Sequence, residues 1–184
     1  ENCCPVCHDA AHEYAAMSVG VEEHVSRRVL RVALLVSAVA SLSGALLVIW
    51  LPPVPPCQDA PGHLTTARAL LEPALFDGLL RTDWAPTAQA FTGATYAFGH
   101  LAGVFVAAKL ALTSFLVLQV WAFRRIAMRV GGSAPLAVIG ACAGFVAWPY
   151  AMGFFNYLGA LAFGSVGLAL WIDKDRSVPA SLLA

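Results

Sequence analysis

Charge is what this sequence has least of. Only 12% of its 184 residues are Asp, Glu, Lys or Arg, against 59% hydrophobic, and mean hydropathy is +0.73. Soluble domains carry roughly 25% charged residues. Half that share excludes an ordinary water-facing surface and implies a membrane protein. Net charge is missing too, because 11 basic residues balance 11 acidic ones, so nothing points to nucleic acid as a partner. Paired cysteines are also lacking. Cys3, Cys4, Cys7, Cys57 and Cys142 are scattered and make no disulfide framework. There is no Walker loop, dinucleotide fingerprint, H-E-x-x-H helix or G-x-S-x-G elbow.

What the chain has is long apolar runs. Val32–Leu51 holds no charge over twenty residues, and twenty residues of helix cover about 30 Å, the thickness of the hydrocarbon core. Pro52 and Pro53 stop it, and Trp50 suits an interface. Val130–Ile172 is uncharged over 43 residues, too long for one span and right for two. The break falls in "MGFFNY", where Gly153 loosens the backbone and Asn156 can cap the next helix. Spans are therefore expected at Val32–Leu51, Gly99–Phe123, Ala134–Met152 and Phe155–Ile172. Residues 86–98 read as an outer segment or re-entrant helix. The expected fold is an all-α membrane protein of about four transmembrane helices, with amphipathic surface helices in the first outer loop. Residues 1–28 are a tail, 29–176 the membrane domain, and 177–184 the start of a continuation.

Lys and Arg set the orientation. Arg27, Arg28, Arg31, Arg124, Arg125, Arg129, Lys174 and Arg176 are eight of the 11 basic residues. Four spans put all eight on one side, which implies a cytoplasmic N-terminus. The loop over residues 52–98 then faces outward, with Asp59, Glu72, Asp77 and Asp83 against Arg68 and Arg81. In that loop Asp59 can cap a helix with Pro61 in its first turn. Leu64, Ala67, Leu70 and Leu71 share one face of it, and His63 and Arg68 lie off that face. A second surface helix is expected over "PALFDGLLRT", with Leu75, Leu79 and Leu80 turned to lipid or protein.

The N-terminal "CPVCH" matches C-x-x-C-H, which attaches a c-type haem through Cys4 and Cys7 with His8 as axial ligand. Haem c is attached outside the cytoplasm, and the arginines place this tail inside. Cys3, Cys4, Cys7 and His8 also offer zinc ligands, though only Cys4 and Cys7 have the usual spacing. The plainest reading is a reduced cytosolic tail.

The outer loop carries the chemistry of interest. A carboxylate at a membrane boundary can deprotonate an acceptor hydroxyl or hold a divalent metal. Asp59 stands at that boundary, with His63 and Arg68 following it in the same segment. Lys109 sits fifteen residues before Arg124, about 22 Å along the helix axis. An ionisable residue within a span is a functional candidate by default, and a donor phosphate is its expected contact.

This layout resembles the membrane-embedded glycosyltransferases of the GT-C fold, which use polyprenyl-phosphate sugars. In them a first span leads from a cytoplasmic N-terminus into an outer loop with an essential acid and surface helices. "QDAPGHLTTAR" is similar to a D-x-P-x-H-L-x-R-like stretch of bacterial multi-pass proteins placed near that superfamily. "GFFNYLGALAFGSVGLALW" is similar to their G-x-x-N-Y-L-x-G span. The resemblance covers most of residues 27–176. It implies a bacterial inner-membrane enzyme that moves a sugar from a polyprenyl-phosphate donor, with Asp59 as base or metal ligand, His63 orienting Asp59 or contacting the acceptor, and Arg68 binding the lipid phosphate. Many members carry two adjacent acids where this chain has Gln58 before a lone Asp59. The full fold has more than four spans, so the chain would be an N-terminal portion. Two other readings stand beside it: a non-enzymatic subunit of an assembly or transport system, and a membrane-anchored haem protein.

Overall fold

A computed structural model describes residues 5–55, 57–76 and 90–174, with side chains from Arg27 onward. Among the described residues six α-helices follow one another: α1 (Pro5–Trp50), α2 (Ala60–Leu71), α3 (Ala90–Arg129), α4 (Ala134–Val146), α5 (Trp148–Ala151) and α6 (Phe155–Lys174). A 3-10 turn, Pro73–Phe76, follows α2. Among the described residues four segments are long and apolar enough to cross a membrane: Arg27–Trp50, Ala90–Arg129, Ala134–Ala151 and Phe155–Lys174. The chain is an all-α, multi-pass membrane protein, and no strand occurs among the described residues. It divides into two compact units, Glu1–Ser37 and Ala38–Ala184. The first is mostly the early part of α1, and the candidate site lies within the second.

Several expectations fall outside the described residues. Cys3 and Cys4 do, and Cys7 and His8 are in α1 without described side chains. The expected "PALFDGLLRT" helix is described as the 3-10 turn up to Phe76, and its Leu79 and Leu80 lie beyond it.

The long helix α3 is two helices joined by a sharp turn. Gly103 has φ 72° and ψ 162°, a region essentially confined to glycine. A Cβ placed on Gly159 of α6 would lie 2.8 Å from Ala90 Cβ and 3.0 Å from Phe115 Cζ. A straight helix would hold residues 90 and 115 about 37 Å apart. Both touch the same glycine, so the halves 90–102 and 104–129 fold back about Gly103. The second half is about 39 Å long, enough for the hydrocarbon core by itself. The turn therefore comes four residues after the start expected at Gly99. The run from Ala90 contains no proline or charge to announce it.

Packing of α3 against α6 and α4 builds the core of the second unit. Phe91, Phe115, Phe145 and Phe155 are fully buried there with Ile49, Leu112, Leu116 and Leu158. Large apolar side chains such as Val39, Leu47, Leu101 and Phe163 stay exposed, as lipid-facing residues must. At one end Arg125 and Arg129 both donate to Asp173, at 2.6 Å each. One carboxylate thereby ties the C-terminal ends of α3 and α6. At the other end α2 packs along the first half of α3, where Leu71 presses on Gly99. Ala60, Leu64 and Ala67 form its buried stripe, spaced four and three residues apart.

Candidate functional site at the start of α2

Asp59 directly precedes α2, and Pro61 sits in the helix's first turn. The expected cap does not form. Asp59 has φ −94° and ψ 0°, not the extended backbone of a capping residue, and its side chain makes no cap hydrogen bond. The carboxylate is exposed instead. One turn on, the His63 backbone N–H donates to the Asp59 carbonyl at 3.2 Å, so both side chains occupy one face of α2.

His63 is half-buried in an aromatic box. Its ring lies 5.6 Å from Phe91, edge to face, and 5.7 Å from Phe155, while these two rings are 4.6 Å apart. Burial lowers the imidazole below its usual 6.5, opposed by the Gly153 backbone beside it and by the Asp59 charge. The neutral ring has one nitrogen that carries the proton and one that keeps a lone pair.

Gly153 fixes this corner. Its φ of 79° is left-handed, and a Cβ there would lie 2.9 Å from the Asp59 backbone N. Glycine is needed twice, for the turn before α6 and for the approach of Asp59. Asn156 behaves differently from expectation. Its Oδ1 accepts the Phe91 N–H at 2.9 Å, so it caps α3 and not its own helix. The first turn of α3 has donors without intrahelical acceptors, and Asn156 satisfies one of them.

Arg68 is on another face of α2, five residues or about 140° from His63. It pairs with Glu72 at 3.4 Å, both half-exposed, and lines a cavity of about 310 Å³. Lys109 is buried, and its Nζ donates to the carbonyls of Trp50 at 3.1 Å and Pro52 at 2.6 Å. It also lies 5.7 Å from the Trp50 ring centroid, and that indole donates to Thr113 at 3.0 Å. Its charge thus serves the carbonyl end of α1, where the helix dipole is negative. The structure brings Asp59 and His63 together and keeps Arg68 and Lys109 apart from them. Among the described residues no three His, Cys, Asp or Glu side chains converge as metal ligands. Cys57, just before Asp59, is half-buried, and burial pushes its thiol up to about 11, which leaves it unreactive at neutral pH.

Sequence reasoning missed Gly153 as the partner of His63, and with it the Phe91–Phe155 box. "MGFFNY" signalled a turn, but nothing in it names a residue ninety positions earlier. No family model, curated protein or solved structure matches the chain. Fold and site define a class, a multi-pass helical membrane protein with an uncommitted acid beside an anchored imidazole.

Proposed function

We propose that the chain is a membrane glycosyltransferase, or the N-terminal part of one, that takes a sugar from a polyprenyl-phosphate donor at the outer face of a bacterial inner membrane. The observation that carries this is the Asp59 carboxylate, exposed, free of capping duty and one helical turn from a neutral imidazole beside the Gly153 backbone. In the reaction Asp59 accepts the proton of the acceptor hydroxyl. The acceptor oxygen then bonds to the anomeric carbon of the sugar, and the bond from that carbon to the donor phosphate oxygen breaks. Polyprenyl phosphate leaves with the bonding pair. His63 contacts the acceptor through its free lone pair. Base catalysis of this kind contributes about 10²–10⁴-fold. The basic clusters around Arg27–Arg31 and Arg124–Arg129 support a cytoplasmic N-terminus and an outward α2.

The test is transfer of labelled sugar from a polyprenyl-phosphate sugar by the protein in liposomes, read as release of polyprenyl phosphate. Release above protein-free liposomes is the expected result, and none with any acceptor would refute the reading. A second reading, a non-enzymatic membrane subunit, is favoured by Lys109, a cation within a span bonded to the chain's own carbonyls. It predicts that Asp59, His63 and Lys109 can all be replaced without loss of assembly.

A further inference from the structure

The exposed face of α4 is bare for a surface that meets lipid. Leu136, Gly140, Ala143, Gly144 and, directly after the helix, Ala147 are exposed and recur at helical spacing along one side. All but Leu136 are glycine or alanine. The lipid-facing sides of other spans carry large side chains instead, such as Val39 and Leu47 of α1 and Phe163 and Leu168 of α6. A Cβ added at Gly140 would meet nothing within 4 Å, so the face is a shallow open notch. Small residues in this pattern let two helix backbones approach closely within a membrane. An independent observation lies behind the notch. Gln119 of α3 is 1% exposed, and its Oε1 has no hydrogen-bond partner. Its Nε2 lies 4.0 Å from where a Gly144 Cβ would be, so the amide is aimed at the notch from the α3 side. An unpaired acceptor within a span is destabilising, and lipid chains carry no donor to offset it.

We infer that the α4 face is an interface between two copies of this chain, packed about a twofold axis at the Gly140–Gly144 notch, with the Gln119 amides of the two copies hydrogen-bonded to each other. An amide offers both donors and an acceptor. Twofold symmetry brings each residue of the patch to its counterpart's surroundings, so Nε2 of one Gln119 meets Oε1 of the other. The last torsion of a glutamine side chain is soft, and the missing side chain at Gly144 leaves the amide room to turn toward the partner. A wholly apolar partner helix would leave Oε1 unpaired, as lipid does. No charge stands on the α4 face, so two identical faces meet without repulsion. The interface uses no residue of α2 and is independent of the transferase reading.

Resonance energy transfer between full-length chains carrying donor or acceptor dyes at the N-terminus, reconstituted in phosphatidylcholine vesicles, tests this. Transfer should rise linearly with the acceptor fraction, the mark of a dimer, and fall as lipid dilutes the protein. Gly140→Leu should weaken association by about tenfold or more. The single chain has room for that side chain, so its melting temperature should stay native. Gln119→Leu should weaken association by about threefold or more, the worth of a hydrogen bond between helices in a bilayer. Gly164→Leu, at an equally open glycine of α6, should leave association unchanged. Transfer no greater than random crowding gives would overturn the inference, as would native association in Gly140→Leu or in Gln119→Leu. A chain that stays monomeric in vesicles, yet cross-links through Gly140→Cys to another protein in cell membranes, would also overturn it by giving the face a different occupant.

Discussion

Replacing Gly153 by alanine strikes the candidate site at its backbone. Two costs are fixed by geometry. The left-handed φ of 79° costs an L-residue about 1–2 kcal/mol. The added Cβ would also meet the Asp59 backbone N at 2.9 Å and its Cβ at 3.1 Å. That neighbour is main chain and cannot swing aside, and overpacking of this kind costs about 1–3 kcal/mol. The sum is on the order of 2–5 kcal/mol, a large share of any membrane domain's margin. The strain is released by moving Asp59 away from the turn before α6. His63 then loses its contact with the Gly153 backbone. Hydrogen exchange over residues 57–63 reads this directly, because the His63 N–H is bonded to the Asp59 carbonyl. The expected result is a lower apparent melting temperature, faster exchange at His63 and an imidazole that titrates further below its usual value, because Gly153 and Asp59 both oppose the effect of burial. A Gly153→Ala protein with native melting, native exchange and an unchanged imidazole would refute the argument that this contact anchors the site.

The lowered His63 value predicts the sign of a pH effect. A group whose folded value is depressed stabilises the fold fully above its unfolded value, here 6.5, and loses that contribution as pH falls through the folded value. Melting between about pH 5 and 8 should show this slope in the native protein and lose it in His63→Gln; an equal slope in both would exclude His63 as its source. Lys109→Met leaves the Trp50 and Pro52 carbonyls without their donor and should cost about 1.5–3 kcal/mol, measured by denaturant titration in detergent micelles, while sugar transfer per folded molecule stays unchanged. Spin labels at Ala97 and Val117 test the Gly103 turn. A straight helix would separate them by about 30 Å, the native turn holds them much closer, and Gly103→Ala should broaden the distribution toward the longer value at a cost of about 1–3 kcal/mol. A short, narrow distance in that variant would show that the turn does not need glycine.

The spans were legible in the sequence because burial in lipid leaves a simple trace, long runs without charge ended by proline or arginine. The Asp59–His63 pair was legible for a local reason, since four residues are one helical turn. The rest depends on contacts between distant positions. Lys109 reads as a stray charge in a span until Trp50 and Pro52, more than fifty residues earlier, are seen to receive it. Asn156 stands where a cap for α6 is expected, yet the donor it reaches is Phe91. Gly103 is one glycine among several in apolar sequence, and only the closure of Ala90 and Phe115 on Gly159 reveals the fold-back. Asp59 is the opposite case. Its position fits the capping pattern, and the observed φ and ψ take it out of that role.

The uncommitted Asp59 carboxylate is the centre of the account, and the most direct measurement is the initial rate of sugar transfer by Asp59→Asn against the native protein. Both proteins should be reconstituted in liposomes with matched insertion. Asparagine keeps the size of the side chain and removes the base. A rate lower by about 10²–10⁴-fold is the predicted result. Transfer at the native rate by Asp59→Asn would contradict the account and return Asp59 to an ordinary exposed loop acid.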